Sequence, residues 1–232
     1  MKNLEKIIDK IEKSIDDKDR IREKALRHSR EIIINCRKAI QLIHQDQTEK
    51  AKIHLRKASA KLANLYDLTG DYPELFHAGY VENAAQEFVE AKCLLNIIGN
   101  KNLPDPDKLQ TTYSSYLLGL CDVVGELRRK SLDSILDGAA EEANKYLRLM
   151  ENIYDAIIKF DYPSSLVPIK RKQDQVRGII EKTRGELAVA SCERRIEYHT
   201  DEFRGIFDKL NDTKKKKRIK DNKSELDIDR VW

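Results

Sequence analysis

The sequence predicts an all-α protein, a single-domain antiparallel bundle of about six or seven helices. Three observations carry this. Gly and Pro number only 9 and 5 among 232 residues, too few turn formers for the many short strands of a sandwich, barrel or propeller. The same scarcity disfavours a nucleotide-binding α/β fold, which needs Gly-rich turns. Apolar residues recur at three- and four-residue spacing over long stretches, the period of a helix with one packed face. Charged residues make up 36% of the chain, against about 25% in an average domain, which supplies each helix with a solvated face.

Residues 3–45 are predicted as one long helix or two continuous ones. Leu4, Ile7, Ile8, Ile11 and Ile15 begin its stripe, and Ile21, Ala25, Ile32, Cys36, Ile40 and Ile43 continue it. The acidic run Asp16–Asp19 is expected to loosen the chain between the two halves. Ala51, Leu55, Ala58, Leu62 and Leu65 define a second helix, with Gly70 as its stop. Pro73 is predicted to open a third, whose stripe is Ala84, Phe88, Ala91, Leu95 and Ile98. Residues 99–107, GNKNLPDPD, read as a loop. Leu117, Leu120, Val124 and Leu127 mark a fourth helix, and Asp137-Gly138 a break. A fifth runs over 139–160 through Ala143, Leu147, Met150, Ile153, Tyr154 and Ile157, followed by a loop over 161–165. The last helix is predicted from 166–169 to about Leu210. The helical domain is thus assigned to 1–205, and 206–232 to a charged, partly disordered tail holding Lys214–Arg218 and ending in Val231-Trp232. No fixed-period repeat is present, which argues against a solenoid.

The net charge of +4 sums unlike parts. Residues 1–70 carry 17 basic and 11 acidic groups, residues 71–160 carry 9 and 15, and residues 161–232 carry 18 and 14. Basic ends can attract polyanions, and an acidic middle can hold metal. The four cysteines, Cys36, Cys93, Cys121 and Cys192, form no CxxC pair and lie within helical patterns. They read as core or near-core residues of a protein in a reducing compartment. The charged N-terminus is unlike a signal peptide, and no apolar run reaches the length of a membrane span. The expected location is cytoplasmic.

Two acidic pairs are the strongest chemical signal. Glu87 and Glu90, three apart in Gln86-Glu87-Phe88-Val89-Glu90-Ala91, share a helix surface beside an apolar stripe. Asp122 and Glu126 share another, opposite the stripe of the fourth helix; taken alone, that pair reads as a solvated face. Convergence of both pairs would create an oxygen-only site suited to Mg²⁺ or Mn²⁺ rather than Zn²⁺, and so to phosphodiester hydrolysis. Glu74-Leu75-Phe76-His77 is a single ExxH, where a di-iron bundle needs two. His77 reads as a surface group or nucleic-acid contact. His28, His44, His54 and His199 have no partner at ligand spacing and read as surface or boundary residues. No P-loop, nucleophile elbow, dinucleotide fingerprint or HExxH is present. For phosphate contact, Arg20, Arg27, Arg30, Arg37 and Lys38 are the candidates of the first helix, and the lysine run of the tail is a further one.

These segments resemble the translin family, specifically its translin-associated factor X branch. Asp17–Glu23, running on to Ser29–Ile32, is similar to the family's first helix. Residues 86–91 resemble its QEYVEA motif, with Phe88 in place of Tyr. Residues 116–127, YLLGLCDVVGEL, resemble its YLLGxxDLxGEL motif. Tyr162-Pro163 and Ile180–Thr183 also fit, so the resemblance covers roughly residues 3–200. It implies an all-α bundle of seven helices that assembles into a closed, hollow homo-octamer enclosing RNA or single-stranded DNA. It further implies a metal-dependent endoribonuclease, with Glu87, Glu90 and Asp122 as metal-binding catalytic acids and Glu126 as the accompanying acid. Arg20, Arg27, Arg30, Arg37 and His77 would then contact nucleic acid within the shell. The alternative is a translin-type binder of single-stranded DNA or RNA without nuclease activity. A purely structural helical assembly protein is the third reading.

Overall fold

The computed structural model describes residues 3–226, the side chains of 212 and 216–226 excepted. Among the described residues the elements are helical: α1 (Leu4–His44), α2 (Thr48–Thr69), α3 (Pro73–Phe76), α4 (Gly79–Ile98), α5 (Pro106–Leu109), α6 (Tyr113–Leu136), α7 (Ala140–Ile157) and α8 (Lys170–Leu226). The chain divides into two compact units, one up to Thr183 and one from Arg184.

In the first unit, α1 and α2 form a helical hairpin across a three-residue turn, as do α6 and α7. Gly138 adopts φ 77° in the second of these turns, a conformation glycine reaches without steric cost. Helix α4 packs against α1, α2 and α6, and its buried residues, Val81, Ala84, Ala85, Phe88, Val89, Ala91, Cys93 and Leu94, exceed a single stripe. Ala25, Ile32, Cys36 and Ile43 of α1 and Leu55, Leu62 and Leu65 of α2 close the core on one side of α4; Val123, Val124 and Leu127 of α6 close it on the other. The start of α8 belongs to this unit. Ile169, Val176 and Ile180 are buried, and the Gln173 amide donates to the carbonyls of Ile157 (2.7 Å) and Phe160 (2.9 Å).

Four expectations need correction. The run Asp16–Asp19 does not interrupt α1, because Asp17 pairs with Arg20 and Asp19 with Arg22 one turn on, and such pairs support the helix they lie on. Pro73 opens only the four-residue α3; the backbone breaks at His77-Ala78 and α4 starts at Gly79. Helix α8 continues to Leu226 rather than ending near Leu210. Cys36, Cys93 and Cys121 are buried, but Cys192 is exposed. Val231-Trp232 lie outside the described residues. Among the described residues, no helix is long and apolar enough to cross a membrane.

Candidate active site

One glycine brings the two acidic motifs together. A Cβ on Gly119 of α6 would lie 2.6 Å from the Gln86 carbonyl oxygen and 2.8 Å from Cβ of Val89. Only a residue without a side chain permits α4 and α6 to approach this closely. Asp122 stands one turn beyond Gly119, and its carboxylate accepts a hydrogen bond from the Gln86 side-chain amide. The solvated reading of Asp122 and Glu126 is thereby overturned. Gly119, Val123 and Ser115 give α6 a second buried face beside its Leu120–Val124–Leu127 stripe, leaving the two acids only about a quarter exposed, at 26% and 25%.

Each of three acids has its own partner, supplied by a different part of the bundle. Lys172, near the start of α8, forms an ion pair with Oδ1 of Asp122. Arg37 of α1 reaches Oε1 of Glu87 at 3.2 Å. His44, at the last turn of α1, places Nε2 2.5 Å from Oε2 of Glu126. These contacts differ in weight. Arg37 is 70% exposed, so its pair is a surface pair worth about 0–1 kcal/mol. Lys172 is 27% exposed, and is the better-shielded counter-charge.

Glu90 is the exception. Burial pushes its carboxyl up to about 8, and the carboxylates of Asp122, Glu87 and Glu126 push the same way, while Lys172 opposes them. Glu90 thus lies half-buried within electrostatic reach of the carboxylates of Asp122, Glu87 and Glu126. Burial likewise raises the thiol of the neighbouring Cys36, with Glu87 and Glu90 adding to the effect, so it is no nucleophile. As the side chains stand, no three His, Cys, Asp or Glu residues among those described are grouped to hold a metal ion. Each of these carboxylates is engaged elsewhere: Lys172 and Gln86 contact Asp122, Arg37 contacts Glu87 and His44 contacts Glu126. The donor set itself, carboxylate oxygens at a half-buried point, suits a hard divalent cation.

The expected nucleic-acid residues fall into two groups. Arg20, Arg27 and Arg30 are exposed on α1 and, with Arg37, lie within an arc of about 100° at the helical period, opposite the buried Ala25–Ile32–Cys36 face. Arg20 sits 3.5 Å from Asp17, and Arg37 leans to Glu87. His77 is exposed, with Nδ1 3.6 Å from Glu82, and Glu74 of the same ExxH pairs with Lys18 of α1. His44 and Lys172 are the residues that sequence reasoning missed. His44 was expected at the surface or boundary, yet its side chain is 4% exposed. Neither lies in an acidic motif, and only the chain's return past α6 places Lys172 there.

Comparison with known proteins gives a consistent result. Residues 20–184 match the sequence profile of the Translin family. An uncharacterized protein of Methanocaldococcus jannaschii is 38% identical over 173 residues, covering 74% of this chain and 77% of that protein. Among solved structures, the complex of AfC3PO with duplex RNA superposes with a TM-score of 0.72 at 33% identity, covering 81% of this chain and 97% of that one. The crystal structure of AfC3PO gives 0.73 at 33% identity, covering 81% and 98%. Apo-NeC3PO, at 20% identity, shares the fold, with a TM-score of 0.70 and coverage of 79% and 96%.

Proposed function

The chain belongs to the Translin family, and from that premise we propose that it binds RNA and cleaves it at the acidic cluster as an Mg²⁺- or Mn²⁺-dependent endoribonuclease. The single observation that carries the reading is the meeting of the two acidic motifs, where Gly119 lets α6 close on Gln86 of α4 and the Gln86 amide donates to Asp122, with the half-buried Glu90 raised to about 8 beside them. Desolvation and the neighbouring carboxylates disfavour an ionised Glu90, and a cation at the cluster would offset both. Glu87, Glu90 and Asp122 would hold the cation, with Glu126, anchored by His44, as the accompanying acid. When bound, such a cation supplies an activated water and counter-charge for the phosphate oxygens. Arg20, Arg27 and Arg30 would grip the RNA backbone, and Arg37, alternating between Glu87 and phosphate, would orient the strand beside the acids. The related AfC3PO, solved with duplex RNA, supports RNA as the ligand, and we extend the reading to single-stranded DNA as a second ligand. We assign the assembly as a hollow homo-octamer in the cytoplasm, with the acids facing its cavity.

A second reading, a binder without nuclease activity, draws on the same contacts: Lys172, Arg37 and His44 already give three acids a partner. One experiment separates the two. End-labelled RNA is incubated with the protein and Mn²⁺, then with excess chelator. Cleavage that stops on chelation, and is abolished in Glu87→Ala and Asp122→Ala proteins that still retard RNA, supports the nuclease. Retardation without cleavage, or cleavage unchanged in both variants, overturns it.

A further inference from the structure

The second unit presents an apolar face that nothing among its described residues covers. From Ser191 to Asn211 every side chain is exposed. Val189, Ile196, Phe203 and Leu210 follow one another at seven-residue spacing, with exposures of 59%, 66%, 73% and 55%. Cys192, His199, Ile206 and Thr213 repeat the spacing three residues on. Taken as a and d positions, they span more than three heptads, with a apolar throughout and d carrying Cys192 and Ile206 beside the polar His199 and Thr213, a seam of the kind along which helices wind around each other. The Translin match ends at residue 184, so this face lies outside the family domain.

We propose that two copies of this chain pair through residues 189–213 of α8 as a parallel, in-register, two-stranded coiled coil. The area suffices. Val189, Ile196, Phe203, Ile206, Phe207 and Leu210 each offer on the order of 100 Å² of apolar surface, so two faces remove about 1,200 Å², the lower bound of a stable interface. Charge selects the orientation. Antiparallel pairing would set Arg195 of each copy against Lys209 of the other, and Glu202 against its own counterpart. Parallel pairing sets Arg195 against Thr200 and Glu202 against Phe207, and its like-charge contact is confined to Lys209 against Lys214 at the end of the face. Valine and isoleucine at positions 189 and 196 also suit a parallel dimer, because β-branched residues at a favour two strands. His199 stacks on its counterpart as a polar layer, which penalises slipped registers.

Cys192 is a built-in reporter, since Cys36, Cys93 and Cys121 are buried. In the parallel dimer it faces its counterpart; in an antiparallel one it would face Leu210. The full chain is treated with diamide, which takes up two electrons and two protons as two thiols join, and is run on a non-reducing gel. The expected result is a disulfide-linked dimer that Cys192→Ser abolishes. Asp201→Cys in that serine background, placed off the face, should link at least tenfold less. Ile196→Glu with Phe203→Glu should reduce the Cys192 link at least tenfold while the helical circular dichroism persists. Absence of the Cys192 link, equal linking at position 201, or a link that survives the double substitution would each overturn the proposal.

Discussion

A side chain on Gly119 would collide with the backbone of Gln86, its Cβ lying 2.6 Å from the carbonyl oxygen. The two acidic motifs meet because this one residue in α6 has no Cβ. Gly125, six residues on in the same helix, has nothing within 4 Å of such an atom. The two glycines therefore separate packing from helix propensity. Gly119→Ala should destabilise the fold by about 1–3 kcal/mol, the usual cost of overpacking against atoms that cannot yield. Gly125→Ala should stabilise it by roughly 0.5–1 kcal/mol, because alanine is the better helix former. Urea unfolding followed by circular dichroism measures both. Equal effects at the two sites would show that the close approach of α4 and α6 is not what Gly119 provides.

Lys172 and a divalent cation compete for the same carboxylate in the proposed site. Its ion pair with Asp122, both residues about a quarter exposed, is worth about 1 kcal/mol at this degree of solvation. Lys172→Met should accordingly tighten Mn²⁺ binding by roughly fivefold, as measured by titration calorimetry in the absence of RNA. Weaker binding in the variant would mean that Lys172 positions Asp122 for the cation instead of competing with it.

The raised carboxyl of Glu90 makes stability depend on pH in a defined direction. Its ordinary value is 4.5 and its folded value about 8. Between the two, the folded protein holds a proton that the unfolded chain has lost, so stability falls as pH rises across that window. Glu90→Gln removes the titration and should flatten the profile by about 1–3 kcal/mol between roughly pH 5 and pH 9 in chelator. In the wild type, Mn²⁺ should stabilise more at the alkaline end, where no proton competes for the carboxylate. Parallel profiles for the two proteins, read from thermal unfolding at a series of pH values, would remove Glu90 from the cluster.

The helices were legible in the sequence wherever a single apolar stripe carried the burial, as in α2 and α7. Glu87, Glu90, Asp122 and Glu126 were legible as local pairs, since helical spacing alone puts each pair on one surface. The convergence of the pairs was not. Viewed on α6 alone, Asp122 and Glu126 lie opposite the packed stripe, and a helix buried on two faces has no single-stripe signature. Gly119 was the local clue, a glycine inside a strong helical run, where it costs stability unless another backbone must come close. Lys172 and His44 carried no such clue. One meets Asp122 from fifty positions away and the other meets Glu126 from eighty-two, separations that only the packed bundle closes. At Asp16–Asp19, acidic composition misled because the neighbouring arginines one turn on were not counted as partners.

The exposed arginines of α1 test the RNA reading without disturbing the fold. Arg20, Arg27 and Arg30 lie opposite the face that packs on the bundle, so replacing all three by alanine should change stability by less than about 0.5 kcal/mol. If each neutralises one phosphate of a single strand, losing three contacts should lower the steepness of log K against log salt by about 2. Affinity should fall equally for unrelated sequences, since phosphate contacts carry no base information. Fluorescence anisotropy with labelled RNA over a series of salt concentrations gives both quantities. A triple variant with unchanged slope would mean that the strand binds elsewhere. Arg37→Ala offers an internal contrast: it should lower the slope by less than one further unit, because this side chain divides its charge between phosphate and Glu87, 3.2 Å away.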